Sequence, residues 1–303
     1  MNSYKTSIFL IKILSFFIPI KSYRKEFRVF LNQKLKVDYN KNLMAQSYLK
    51  KYTHILKQES LNIRVSPSDL PIWQLWFQGG EAAPVIVKRC LDSVQKYTKD
   101  RKIIILTQSN IYEYVDIPQY ILDKKAQGII SNTHFSDILR ICLLEKYGGT
   151  WIDATVLLTG KIPIEILEQN FFAFSVPENH PNYKFHLFSS WFMHAQPGHA
   201  FLKSFKKSLF EYWKYENSLI DYFTLHLIIY NIIHSDIDFI SEWRKGLNID
   251  NISAHEMQLG LKKMYSEENI QNYKLRSMVH KLTYKIENDI EGTLLDKIIK
   301  DGL

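Results

Sequence analysis

Cysteine is almost missing: the 303 residues hold two, Cys90 and Cys142. So few thiols exclude a disulfide framework, and their spacing fits no zinc site. Each falls on the apolar face of a predicted helix, so both read as reduced core residues of a cytosolic protein. Long apolar runs are missing too. The best candidate, Ile8 to Ile18, is interrupted by Lys12 and closed by Pro19, whereas a membrane-crossing helix needs about 20 apolar residues. No small-residue cleavage site follows it, which argues against a signal peptide. The chain has no internal repeat and no low-complexity linker. Gly79-Gly80 lacks the GxGxxG spacing, so a dinucleotide-binding fold has little support. Acidic residues are the minority, 31 against 39 Lys and Arg, for a formal charge of +8. The excess suggests an anionic partner: a bilayer, nucleotide phosphates or nucleic acid. Nucleic acid has the least support, because the cations cluster at the N-terminus without a known binding motif.

What is present suits a globular protein able to bury a full core, with 46% hydrophobic and 23% charged residues. Aromatics at 14% fit a chain that binds sugar rings, sits near a membrane, or fills its core with Phe and Tyr. The apolar helix of residues 8–18 is followed by Lys21, Arg24, Lys25, Arg28, Lys34 and Lys36. That is the profile of an interfacial anchor on an anionic leaflet, the alternative being a helix packed on the protein's own surface. Residues 37–68 read as a polar helical connector. The boundaries expected are 1–68 for this N-terminal region, 69–290 for the main domain and 291–303 for a tail, helical from about Glu287.

Pro71 to Phe77 reads as a buried strand, Pro84 opens a helix with Val87, Cys90, Leu91 and Val94 inward, and Ile103 to Thr107 is a second strand. Strand, helix, strand predicts a parallel sheet whose ligands bind beyond the carboxyl ends of the strands. Leu75-Trp76-Phe77-Gln78-Gly79-Gly80 ends the first strand, so Trp76, Gln78 and Gly79 are candidate nucleotide contacts.

Ser131 to Leu158 is the most informative stretch. Ser131, Asn132 and Thr133 can each cap a helix, and Phe135, Ile138, Leu139 and Cys142 give it one apolar face. Asp137 and Arg140 lie three apart near its start, on the opposite side. Gly148-Gly149 supplies a positive-φ stop. Thr150 to Leu158 then reads as a strand containing Asp153, a residue depleted in strand interiors. Asp153 is either a structural acceptor or the holder of a divalent cation against a phosphate.

Ser136-Asp137-Ile138-Leu139-Arg140, Gly148-Gly149 and Trp151-Ile152-Asp153-Ala154-Thr155 resemble the core signature of GT-A glycosyltransferases of the family 32 kind, a group that includes the glucosylating toxins. The Trp-Ile-Asp-Ala-Thr form is most similar to the capsular polysaccharide synthesis protein family. The resemblance covers roughly residues 70–290. It implies an α/β, Rossmann-like GT-A fold with a mostly parallel central sheet flanked by helices, here with an N-terminal helical extension. In the wider group the acidic motif is Asp-X-Asp and binds a manganese–nucleotide complex; here the second position is Thr155. The resemblance therefore implies Mn2+ or Mg2+ on Asp153, with Thr155 and His280 as further ligands, and Trp76 (or Trp73) stacked on uracil. Asp137 would accept from ribose or donor-sugar hydroxyls, and Arg140 would hold a phosphate or fix Asp137. Ser189, Ser190 and Trp191, before the Pro197-Gly198-His199 turn, would line the donor-sugar and acceptor pocket. Asp221 would act in the acceptor site, its structural alternative being the first turn of a helix running to Ile233. His280, Lys281 and Lys285 would close the donor site, the alternative being an exposed basic helix.

The function expected from this resemblance is sugar transfer from a nucleotide-sugar, UDP-linked by preference and with retention, to a glycan or lipid-linked oligosaccharide of a bacterial capsule. The protein would sit in the cytoplasm, peripheral on the inner face of the membrane through residues 1–36. The competing reading is a catalytically silent relative that binds nucleotide-sugar or glycan.

Overall fold

Short β-branched runs bounded by turn residues form the strands of one central sheet, and that sheet fixes where everything else sits. The computed structural model describes residues 3–35, 37–57, 64–180, 183, 185–285 and 291–303. The strands in chain order are β1 (Ile72–Leu75), β2 (Ile103–Leu106), β3 (Gly149–Ile152), β4 (Val156–Leu158), β5 (Phe171–Ser175), β6 (Phe188–Ala195) and β7 (Val279–Lys281). The helices are α1 (Ser3–Phe16), α2 (Lys21–Lys34), α3 (Val37–Leu49), α4 (Val85–Tyr97), α5 (Gln119–Ala126), α6 (Asn132–Tyr147) and α7 (Ile164–Leu167). They continue as α8 (Ala200–Tyr215), α9 (Thr224–Ser235), α10 (Ile237–Lys245), α11 (Ile252–Gly260), α12 (Glu267–Arg276) and α13 (Leu294–Asp301).

The sheet order is β2-β1-β3-β6-β5. β2 and β3 run parallel to β1, and β6 is antiparallel to both β3 and β5, so every strand of this sheet but β6 points the same way. This is the mostly parallel α/β arrangement, with an N-terminal helical region, that the sequence predicts. One side of the sheet is covered by α6, whose Phe135, Ile138, Leu139, Ile141, Cys142, Leu143 and Leu144 are all buried, and behind it by α8 and α9. The other side carries α4, α11, α13 and the β4–β7 ribbon. Among the described residues no helix is long and apolar enough to cross a membrane.

Three local expectations change. The strand from Thr150 to Leu158 is two strands, β3 and β4, separated by a turn in which the Val156 N–H donates to the Asp153 carbonyl at 2.9 Å. Asp153 therefore sits where the chain leaves the sheet rather than inside a strand, which removes the conflict with strand preference. The connector 37–68 is helical only to Leu49 and a short 3₁₀ turn at Lys50–Tyr52. Beyond it the His54 and Leu56 N–H groups donate to the hydroxyls of Ser208 and Ser204 on α8, each at 2.9 Å. The segment around His280 is a strand paired with β4, not an exposed helix. Lys36 of the basic stretch, residues 58–63 of the connector and Glu287 of the tail lie outside the described residues. The N-terminal helices are tied to the body: Ala45 and Leu49 of α3 belong to the main core, and Lys41 pairs with Asp221 at 2.5 Å.

Two histidines are sealed under this architecture. His194 on β6 and His280 on β7 are 0% exposed, with ring nitrogens against the hydroxyls of Thr150 (2.9 Å) and Thr159 (3.0 Å). Burial pushes His194 down to about 3, helped by Arg101, and His280 down to about 4. An unfolded histidine titrates near 6.5. Between there and about pH 4 the unfolded chain takes up protons that the folded chain refuses, so stability present above pH 6.5 drains away as pH falls. The pair is expected to remove about 2 kcal/mol between pH 6 and pH 5. Urea midpoints at the two pH values check this, and equal midpoints would contradict it.

Candidate functional site

The site is built by the hinge between α6 and β3. Ser131 caps α6, its hydroxyl accepting from the His134 N–H at 3.3 Å, and Gly148 closes the helix at φ +63°. Gly149 follows at φ +99° and lets the Thr150 N–H reach the Pro71 carbonyl at 2.9 Å, which lays β3 beside β1. Helix and strand are thereby folded back on each other. Arg140, two turns into α6, comes to lie over the Trp151 ring, 4.8 Å from its centroid.

From Arg140 a chain of charges runs across the ends of the strands. One terminal nitrogen donates to Asp137 and the other to Asp153 Oδ1 at 3.1 Å. Trp151 Nε1 donates to the same Asp153 oxygen at 2.8 Å. The second oxygen, Oδ2, accepts from the Lys281 ammonium at 3.1 Å, and that ammonium also donates to the Thr155 hydroxyl. Arg140 is 3% exposed, so the Asp137–Arg140 pair is interior; the sequence places it on the helix face opposite the core, and α6 is in fact covered on that face too. Burial raises the Asp137 carboxyl even with Arg140 beside it. At Asp153 burial also pushes upward, but Lys281 and Arg140 together outweigh it and hold the carboxyl below its usual range. Two carboxylates and two cations leave this network formally neutral.

The network opens on a cleft of about 390 Å³, within the range of small-molecule sites. Trp76 and Gln78 come from the end of β1, Asp153 and Thr155 from the turn after β3, and Lys281 and Tyr284 from the end of β7 and the segment after it. Of the paired tryptophans, Trp73 is core: it is 1% exposed and its ring N–H donates to the Gly148 carbonyl at 2.9 Å. Trp76 faces the cleft, edge-on to Tyr284 with centroids 5.5 Å apart. Asn132, Thr133 and Ser136 of the first turns of α6 line the opposite wall. Sequence reading passes over Tyr284, Trp151 and this polar wall as site residues. The signal for them is position, since each lies a few residues from Asp137, Asp153 or Lys281.

Other candidates lie elsewhere. Gly79, at φ +84°, shapes the turn after β1. His280 alternates with Lys281 along β7, so its ring points to the far side of the ribbon and bonds Thr159 in the core. Lys285 is exposed and outside the cleft. Ser190 is half-buried on β6 next to Trp191, whose carbonyl accepts the Asp153 N–H at 2.9 Å, and it does not line the cleft. Asp221 is a helix-start residue: one oxygen accepts from the Phe223 N–H at 2.8 Å and the other pairs with Lys41.

The residues present do not fit a divalent cation. A hard metal ion wants several carboxylate or carbonyl oxygens. Here Asp153 spends one oxygen on Arg140 and Trp151 and the other on Lys281, Thr155 brings no charge, and an ammonium lies between the two. Among the described residues no group of three or more His, Cys, Asp or Glu side chains is placed to hold a metal ion.

No curated protein sequence matches the chain. The family model described as capsular polysaccharide synthesis protein matches residues 16–299, from the last residue of α1 into α13, with the whole sheet, the α6–β3 hinge and the Lys281 segment inside it. On a match of that extent, the chain belongs to the capsular polysaccharide synthesis protein family.

Proposed function

We propose that the chain is a glycosyltransferase of capsule synthesis that takes its sugar from a nucleotide-sugar donor bound in the Trp76–Asp153–Lys281 cleft. One observation carries this reading: an indole, a compensated carboxylate and an ammonium converge where β1 and β3 end, the edge of a parallel sheet at which ligands bind. Trp76 offers a face for a nucleobase, Lys281 a donor for the diphosphate, and Asp153 with Asn132, Thr133 and Ser136 acceptors and donors for hydroxyls. The sugar moves to a glycan or lipid-linked oligosaccharide acceptor, and retention is read from the anomeric configuration of the product. Nucleotide release from a panel of UDP-, GDP- and CDP-sugars tests the reading. Turnover of one donor is expected, and a Trp76→Ala chain should need about tenfold more of it, the cost of a lost base stack.

The N-terminal helices support a membrane surface as the place of work. On α1 and the turn after it Phe9, Leu10, Ile13, Leu14, Phe16, Phe17 and Ile20 are exposed, while Lys21, Lys25 and Arg28 of α2 are exposed beside them. Apolar side chains with flanking cations partition into anionic bilayers. The protein is expected to sediment with phosphatidylserine vesicles at low salt, and Phe9→Glu/Phe16→Glu should cut the bound fraction several-fold. Equal sedimentation of that variant would detach α1 from the membrane reading.

A further inference from the structure

We propose that Lys281 is the built-in cation of the donor site, taking the diphosphate charge that a divalent metal would take, so that donor binding and sugar transfer proceed without a metal ion. The inference rests on the glycosyltransferase reading and adds to it the means of leaving-group stabilisation.

Lys281 sits on β7, held to β4 by the Val156–Lys281 register, so its stem is fixed by backbone pairing rather than by a loop. Its ammonium contacts Asp153 and Thr155 together, the two side chains that a metal bound at this turn would have to share. Charge balance is met by this exchange. A divalent ion accompanied by a second carboxylate at position 155 would add a net charge of +1, and an ammonium accompanied by a threonine adds the same. Asp153 itself is the wrong shape for a metal in this setting, because Arg140 and Trp151 draw on one oxygen while Lys281 holds the other.

An ammonium has three donors, of which Asp153 and Thr155 take two. The Lys281 side chain is 20% exposed and lines the same cleft as Trp76 and Tyr284, which leaves the third for a diphosphate that follows a base stacked on Trp76. In the transfer step the bond between the sugar's anomeric carbon and the β-phosphate oxygen breaks, and its electron pair stays on that oxygen. The acceptor hydroxyl oxygen bonds to the anomeric carbon, and its proton passes to the freed phosphate oxygen. Lys281 meets the charge that grows on the departing diphosphate, with Asp153 and Thr155 aiming it. A fixed cation already in place needs no reorganisation as that charge appears.

The experiment uses the full chain and UDP, GDP and CDP as probes. Calorimetric titrations are run in excess EDTA and in millimolar Mn2+, alongside nucleotide release from the corresponding sugars. Binding of one nucleoside diphosphate in EDTA within about twofold of its Mn2+ value is expected, with turnover that chelation leaves in place. Lys281→Met keeps the length of the stem and should weaken binding at least about 30-fold, the usual loss when one partner of a partly buried charge contact goes. Lys281→Arg should recover most of it, and thermal melts confirm that both variants are folded. Binding and turnover that vanish in EDTA and return with Mn2+ would overturn the Lys281 inference and leave the glycosyltransferase reading standing. Undiminished binding by a folded Lys281→Met chain would overturn it as well. No binding of any of the three probes in either condition would sink both readings together.

Discussion

Gly149→Ala is expected to cost about 4 kcal/mol, a large share of the roughly 5–15 kcal/mol that holds a domain of this kind together. Two independent effects add. The residue sits at φ +99°, where a side chain is strained by about 1–3 kcal/mol. A Cβ there would also meet the Pro71 carbonyl oxygen at 2.2 Å and the Pro71 carbonyl carbon at 3.1 Å. Both are backbone atoms, so no rotamer change relieves the contact and β3 must move away from β1. That movement would stretch two bonds to the same carbonyl, from the Thr150 N–H at 2.9 Å and from Arg101 at 3.2 Å, each worth about 1 kcal/mol. Gly79→Ala isolates the strain, because Gly79 has φ +84° and an added methyl group there would meet nothing within 4 Å. It should cost only the strain. Urea unfolding of both variants decides the matter: equal losses would mean that close approach at Pro71 is not what fixes Gly149.

The hinge also shows what sequence can and cannot carry. The apolar period of Phe135, Ile138, Leu139 and Cys142 and the Ser131 cap are local signals, and α6 forms between the residues they mark. The break at Asp153 is not local. β3 stops there because its neighbour β6 continues while β4 is drawn off by β7, more than 120 residues later in the chain. The same distance hides the ion network. Arg140 three residues after Asp137 reads as a solvated pair on any helix, and only the fold of β3 under α6 shows it to be interior. His280 and Lys281 read as one pair of site residues because they are adjacent. Pairing as a strand sends one into the core and the other to the cleft, a separation that follows from the period of two and from nothing in their chemistry. Trp73 and Trp76 cannot be told apart by composition. They are separated by where β1 ends: Trp73 lies within the strand and Trp76 one residue past it.

Removing the cation at the centre of the network should be as damaging as breaking the hinge. Arg140→Met is expected to cost about 3–5 kcal/mol, the loss typical of a buried ion pair stripped of one partner. Asp137 would lose the guanidinium that offsets its burial, and Asp153 would keep the Trp151 N–H but only one of its two cations, Lys281. The methionine fills much of the stem's volume over Trp151, so the loss measures charge more than packing. The pH dependence has a definite sign. With Arg140 gone, the Asp137 carboxyl, already raised by burial, rises further above its unfolded value. A group raised in this way adds stability at low pH and loses it as pH climbs through its folded value, so the penalty should be larger at pH 8 than at pH 5. Asp137→Asn placed on Arg140→Met removes the stranded charge and should return at least about 1 kcal/mol, a coupling that a double-mutant cycle reads directly. A solvated i, i+3 pair would behave otherwise, with a cost below about 0.5 kcal/mol, no pH trend and no coupling. Finding that pattern would put Arg140 outside the interior network. It would also remove one of the two cations that hold the Asp153 carboxyl below its usual range beside the cleft.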